Sequence, residues 1–304
     1  MKRIFRLLRS LRKIRWKLLL PRQANVLLYF VTGAEVINPY FAKHELEVLD
    51  LREKEVNISI ALLCLFDRDL SAQNYANRYI NIVKPKLILT FIDNFPPFFR
   101  LKSQFPNIRT ILIQNGIRSE HGDLFGSLPK NSELNDNHVD HMFVFGKAIG
   151  ETYGKFISGE VVSIGSFKNN LSPRKNSKSQ TIAYISTYRP EISEKFIVPD
   201  SAPGNPVSYQ AITARRERTI SFIAEYCKQH NRQFVIIGKS ENFDAEKRYY
   251  QNLLQNYSWK LEPRRTSMSS YEVLNESEIV VFTSSTLGYE SLARGKKTAA
   301  FLVD

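Results

Sequence analysis

Cysteine is scarce: Cys64 and Cys227 stand far apart, in apolar or helical surroundings. That pattern excludes a disulfide framework and a cysteine-built metal site, and it points to a reducing compartment. No apolar run approaches the ~18 residues that a membrane span requires. No repeat of solenoid length occurs. Acids are outnumbered, with 30 Asp and Glu against 43 Lys and Arg, for a net charge of +13. The partner is therefore anionic: nucleic acid, anionic lipid or a phosphorylated substrate. The hydrophobic fraction of 43% is still that of a folded chain, and 304 residues allow one large domain or two of ordinary size.

What is present is most biased at the start. Lys2, Arg3, Arg6, Arg9, Arg12, Lys13, Arg15, Lys17 and Arg22 are basic, and no acid appears among residues 1–22. Ile4, Leu7, Leu8, Leu11, Ile14 and Leu18 recur at helical spacing, with Trp16 beside them. Residues 1–22 are read as a basic amphipathic helix that lies on an anionic membrane surface and ends at Pro21. Arginines interrupt every apolar run, which fits a cleaved signal peptide poorly. No aromatic stacking platform accompanies the charges, which disfavours RNA. A solvated helix docked on its own domain is the bland alternative.

From Asn25 the chain alternates strands and helices. Strands are expected at 26–31, 46–49, 87–92, 110–113, 142–145 and 161–164, then at 181–185, 233–237, 259–261, 279–282 and 298–303. Helices are expected from the Asn57 cap, over 73–83, 98–104, 211–229 and 245–256. Such alternation indicates α/β units with mostly parallel sheets. The aperiodic polar stretch 166–180 reads as a linker between residues 23–165 and residues 181–304, and 190–210, with its prolines, as a long loop.

One stretch organises the second half. The apolar run Ile279–Phe282 is followed by Thr283-Ser284-Ser285-Thr286, Gly288, then Glu290-Ser291-Leu292-Ala293, with Gly295 as the helix C-cap. This is strand, hydroxyl-rich turn, helix, strand. Free N–H groups and hydroxyls at a helix start suit an anion such as a phosphate, and Glu290, a turn inside, suits a ribose diol. The hydroxyls could equally do no more than cap the helix. The segment Ser-Ser-Thr-x-Gly-x-Glu-x-Leu-Ala-x-Gly-Lys resembles the nucleotide-sugar-binding segment of GT-B-type glycosyltransferases, in particular those of bacterial surface carbohydrate (lipopolysaccharide and capsule) biosynthesis. Phe-Ile-Asp-Asn at 91–94 and Ile-Gly-Ser-Phe-Lys-Asn-Asn at 164–170 are similar to that group too. The resemblance implies two Rossmann-like domains facing a cleft. It places the donor phosphates on Ser284, Ser285 and Thr286 and the ribose on Glu290. The related glycerophosphotransferases carry a His-Gly pair where this chain has Asn115-Gly116, which counts against their chemistry. Family chains also run on past this point, so the resemblance implies a C-terminal domain that is either shortened or incomplete here.

Ligands of open parallel sheets collect at the carboxyl ends of the strands. That rule selects Thr32-Gly33, Asp93-Asn94 and 115–123, including Asn115 and Gly116, in the first half. In the second half it selects Arg189, Lys239, Glu262 and the 283–286 loop, a polar and basic set suited to a nucleotide phosphate. Asp93, Glu120, His121 and Asp123 are candidate general bases. Asp93 ranks first, because it follows its strand directly and a carboxylate also stabilises positive charge developing on the sugar. His121 ranks second. The cluster His138, Asp140, His141 lacks a third well-placed metal ligand.

The expected activity is metal-independent sugar transfer without a cofactor, from a nucleotide-sugar donor to a surface polysaccharide or lipid-linked glycan. Nucleic acid is not an expected partner. The expected site is the inner face of the cell membrane, as a peripheral protein of the cytoplasm. The rivals are a nucleotide-sugar 2-epimerase, which shares the architecture, and a non-catalytic sugar-nucleotide or membrane-binding scaffold.

Overall fold

Two large parallel sheets and one two-stranded parallel pair carry the described residues. The computed structural model describes residues 15–51, 55–119, 123–128, 136–175, 179–189, 208–240 and 243–301. The strands are β1 (Arg15–Lys17), β2 (Val26–Tyr29), β3 (Leu46–Leu49), β4 (Glu55–Asn57), β5 (Leu87–Thr90), β6 (Arg109–Ile113), β7 (His138–Val144), β8 (Ser158–Ser163), β9 (Thr181–Ile185), β10 (Gln233–Ile237), β11 (Lys260–Glu262), β12 (Ile279–Phe282) and β13 (Lys297–Ala300). The chain divides into a first unit of residues 1–118 and 123–167 and a second of residues 119–122 and 168–304.

The first unit holds a parallel sheet in the order β3-β2-β5-β6-β7-β8. Its core gathers Leu27, Tyr29, Ile88, Leu112, Met142 and Val144 with side chains of the covering helices, such as Ile80 and Tyr153. The strand order reverses between β2 and β5, and the backbone is crowded there. A Cβ on Gly33, whose φ is 89°, would lie 2.2 Å from the Phe91 ring, so only glycine fits that turn. The helix Ile58–Phe66 starts where Asn57 Oδ1 accepts the Ile60 N–H at 3.2 Å, as the sequence indicated. Ser71 caps the helix Ala72–Val83 in the same way.

The start of the chain departs from expectation. Residues 15–17 are not helical; β1 pairs in parallel with β4, setting Arg15 opposite Glu55 and Trp16 opposite Val56. Lys17 Nζ lies 2.5 Å from Glu55 Oε1. Pairing with β4 sets this basic stretch against Glu55, a counter-charge that a helix standing in solvent would lack. Residues 1–14 lie outside the described residues, as do 190–207 of the expected long loop.

The second unit holds a parallel sheet in the order β11-β10-β9-β12-β13. Along β9, Ile182 and Tyr184 join a core with Ile220, Ile223 and Tyr250 on one face, while Ala183 and Ile185 join Tyr271, Leu274 and Phe282 on the other. Burial on both faces explains the continuous apolar runs of these strands. The helix Tyr209–Gln229 begins at Ser208, whose hydroxyl accepts the Ala211 N–H at 3.1 Å. The helix Ser269–Glu276 was not foreseen. The stretch expected as a linker carries the helix Phe167–Leu171. Arg294 fastens the end of that helix and the residues just beyond it. Its guanidinium donates to Asn169 O at 3.3 Å and Oδ1 at 3.0 Å, to Ser172 O at 3.3 Å, to Pro173 O at 2.6 Å and to Asn275 Oδ1 at 2.6 Å.

Candidate functional site

In the second unit the order reverses between β9 and β12, so the loops leaving their carboxyl ends are neighbours. The loop after β12 runs through Thr283, Ser284 and Ser285 into the helix Thr286–Ala293. Ser285 holds the N-cap position with extended backbone, yet its hydroxyl makes no capping bond. Ser284 is exposed, and Ser285 and Thr286 are half-buried. Gly288 is required by packing: a Cβ there would lie 2.2 Å from the Phe282 ring. Gly295 closes the helix with φ 74°, its N–H donating to Leu292 O at 2.9 Å. Glu290 is nearly buried, and its Oε2 accepts the Tyr271 hydroxyl at 2.9 Å. The Arg294 guanidinium lies over the Tyr271 ring, 5.8 Å from its centre.

The loops after β9 and β10 are drawn together by one buried acid. Glu246 accepts the backbone N–H of Lys239 at 3.1 Å, that of Ser240 at 2.9 Å and the Ser186 hydroxyl at 2.5 Å. Tyr250 donates in turn to Ser186 at 2.8 Å. With its backbone held, the Lys239 side chain faces Arg189, Arg216 and Arg264 electrostatically. Desolvation and those three cations push its pKa down to about 8, against the pull of Glu246. None of the four cations forms an ion pair with a described residue, and Arg216 Nε is buried without a hydrogen-bond partner among the described residues. Arg189 and Arg216 also line a pocket of about 80 Å³ walled by Tyr184, Tyr209 and Tyr249. Glu262 sits at the end of β11 as expected, but its carboxylate pairs with Lys260 while its carbonyl accepts the Gly238 N–H at 2.8 Å. A basic edge beside the hydroxyls of a helix start is equipped to receive a polyanion.

In the first unit Asp93 lies where expected, after β5, but it is 1% exposed. It pairs with Arg118, accepts the backbone N–H groups of Asn115 at 3.1 Å and Gly116 at 3.2 Å, and accepts the Tyr153 hydroxyl at 3.3 Å. Burial opposes the Arg118 cation, and the bond and charge of Asp93 more than offset it, so the Arg118 pKa stands above its ordinary value. Asp93 thus anchors the turn at Asn115 and Gly116. Its oxygens face donors of the protein, not an open surface, which is a different placement from that of an exposed base. Asp123 lies 3.7 Å from Arg118. Glu120 and His121 lie outside the described residues. In the His138, Asp140, His141 cluster, His138 Nε2 lies 3.5 Å from Asp140 Oδ1, but His138 also bonds Ser158, Asp140 is held by Lys102 and Thr110, and His141 turns to Glu160.

Arg216, Arg264, Glu246 and Tyr271 were not anticipated, and Arg118 fell within the selected stretch 115–123 without a role of its own. Arg216 falls within Arg-Arg-Glu-Arg on a long helix, a pattern that reads as solvated charge. The Arg264-Arg265 pair, two residues after the β11 strand end, carried a signal of position alone.

No curated protein matches the sequence. Among solved structures, a Listeria monocytogenes protein described as "putative UDP-N-acetylglucosamine 2-epimerase" is similar over 91% of this chain and 79% of its own, at 12% identity and a TM-score of 0.55. The S. aureus MnaA–UDP co-structure is similar over 91% and 78%, at 13% identity and a TM-score of 0.53. The pneumococcal O-GlcNAc transferase GtfA, in complex with UDP and GlcNAc, is similar over 75% and 45%, at 12% identity and a TM-score of 0.41. At such identities the likeness concerns the fold: parallel α/β units of Rossmann-like type. A family model described as "putative O-antigen biosynthesis protein" matches residues 111–304, well over half of the sequence, and the chain belongs to that family.

Proposed function

We propose that the chain is a GT-B-type glycosyltransferase that moves a sugar from a nucleotide-sugar donor to a surface polysaccharide or lipid-linked glycan. The observation that carries this reading is the edge of the second unit, where Arg189, Arg216, Lys239 and Arg264 form no ion pair among the described residues, beside a Ser285 hydroxyl that caps nothing. In the reaction the bond between the sugar carbon and the donor phosphate oxygen breaks, and an acceptor oxygen bonds to that carbon. The negative charge left on the nucleotide is met by the four cations and the Ser284, Ser285 and Thr286 loop. Glu290, held by Tyr271, takes the ribose hydroxyls. The acceptor proton passes to a base on the segment that Asp93 anchors, where Glu120, His121 and Asp123 lie in sequence. Asp93 serves there as a positioning residue. The acceptor is carried at the inner face of the cell membrane, and the protein works there peripherally from the cytoplasm.

The likeness to epimerase structures gives a second reading, conversion of the nucleotide sugar at its C2. One experiment separates them. Thermal-shift screening over UDP, GDP, CMP and CDP compounds identifies the donor. Saturation at about 100 times Kd adds ~2.7 kcal/mol of stability. The donor is then incubated with and without a lipid-linked glycan pool. Sugar incorporated into lipid supports transfer. Epimerised donor in the absence of acceptor would replace transfer by epimerisation, and binding without either product would leave a scaffold.

A further inference from the structure

The helix Ile58–Phe66 is apolar around nearly its whole circumference, yet only Ile60 and Cys64 are buried. An all-apolar helix in a folded chain is normally covered. Here Leu65 is 58% and Phe66 83% exposed, and Leu62 and Leu70 are also exposed. The segment after β1 adds to this face. Leu18 O accepts the Ser59 hydroxyl at 3.0 Å and Leu19 O accepts the Asn57 side-chain amide at 2.6 Å, which places both beside the helix start. Leu18 and Leu19 are themselves 71% and 86% exposed, and Trp16 is 50% exposed. Large contiguous apolar patches on soluble proteins mark contact surfaces.

Charge identifies the occupant. In the sequence, Leu18 and Leu19 follow directly on residues 1–17, which contain basic residues and no acid. Arg15 and Lys17 flank Trp16 with exposed side chains. Of the acids beside the face, Glu55 is paired with Lys17 and Asp67 with Arg78, while the carboxylate of Asp69 accepts the Ser71 N–H at 2.9 Å. No described helix is long and apolar enough to cross a membrane. Leucine and phenylalanine bordered by tryptophan and cations is the composition that inserts shallowly among lipid head groups. We infer that the helix Ile58–Phe66 and residues 15–20 form one docking face for an anionic lipid bilayer, with the helix supplying the apolar contact and the exposed Arg15 and Lys17 the electrostatic one. This rests on the membrane-surface part of the reading above and not on sugar transfer.

The test uses the full chain with no donor or acceptor, on vesicles of phosphatidylcholine alone and on vesicles of equal parts phosphatidylglycerol and phosphatidylcholine. The parent chain should co-sediment with the anionic vesicles only, and less at high salt. The double variant Leu65→Glu/Phe66→Glu, both positions being exposed, should keep its melting temperature and partition about tenfold less, equivalent to 1.4 kcal/mol. An independent reading comes from Trp259→Phe, which leaves Trp16 as the sole tryptophan. Its emission should shift to the blue, and its quenching by acrylamide should fall, on adding anionic vesicles. Parental partitioning by the double variant would overturn the assignment of the face. So would an unshifted Trp16. A parent that binds no vesicle but forms a dimer, which the double variant dissociates, would assign the face to a second copy and remove the membrane reading as well.

Discussion

Glu246 holds the backbone of Lys239 with its carboxylate, while the ammonium of Lys239 is left among Arg189, Arg216 and Arg264. The sign of the resulting pH dependence follows directly. Between pH of about 8 and 10.5 the unfolded chain binds a proton at Lys239 that the folded chain does not. This group therefore makes the free protein more stable as pH rises through that window. A bound phosphate favours the protonated form and restores the proton, so nucleotide affinity should fall over the same rise. Calorimetry of nucleotide binding in buffers of different ionisation enthalpy should register proton uptake near a pH of about 8.5. Lys239→Met should abolish that uptake and flatten the affinity profile.

The ribose assignment yields a chemical contrast. A charged carboxylate bonded to a hydroxyl is worth ~1.5–3 kcal/mol, so Glu290→Ala should weaken a ribonucleotide roughly 10- to 100-fold. The same substitution should leave the affinity for its 2′,3′-dideoxy analogue unchanged. Equal losses for the two ligands would show that Glu290 acts only through the structure of its helix.

Gly288→Ala should destabilise the second unit. Alanine in a helix interior is favoured by up to ~1 kcal/mol, but here its Cβ meets the core ring of Phe282 at 2.2–2.5 Å. Overpacking of this kind costs ~1–3 kcal/mol and wins. Urea titration should register the loss. Gly288→Ala/Phe282→Leu should recover part of it, because the two changes relieve each other.

Asp93→Asn should act first on stability. It removes the charge opposite Arg118 while leaving the guanidinium enclosed, a change worth ~3 kcal/mol or more. Asp93→Asn/Arg118→Met should be less damaging than Asp93→Asn alone. In turnover assays below the melting temperature, Asp93→Asn should lower kcat through the 115–118 turn while keeping donor affinity. An unchanged melting temperature with lost turnover would return Asp93 to the role of base.

Much of the sheet architecture can be read from the sequence. Strands β9, β10 and β12 are covered on both faces, and so they appear as uninterrupted apolar runs whose ends match the structure. The basic start misleads because Arg15-Trp16-Lys17 satisfies helical and alternating periods alike. Its strand partner at Glu55 lies far along the chain, and no local pattern announces it. The helix Ser269–Glu276 hides in a hydroxyl-rich stretch whose apolar members, Tyr271 and Leu274, are few. At the candidate site, the rule of strand ends found Arg189 and Lys239. It could not find Arg216, which approaches from the middle of a helix. Nor could it reveal that Asp93 is enclosed, since the donors that enclose it come from a later turn and a distant tyrosine.

Arg294 has a consequence for the order in which the protein is made. The carbonyls of Asn169, Ser172 and Pro173 and the amide of Asn275 wait for a guanidinium made well over a hundred residues after the first of them. Central strand β9 likewise waits for β12 to cover its open edge. The strands of the first unit are all complete by Ser163, and domains generally fold as units from the N-terminus during synthesis. On the ribosome, therefore, the first unit can close while the second still exposes β9 and β10 with an unpaired edge. Truncation of the chain before residue 294 would release one finished half and one adhesive half, and a pause there would prolong the same state on the ribosome, so the demand for chaperones falls on the interval in which residues 181–294 are synthesised.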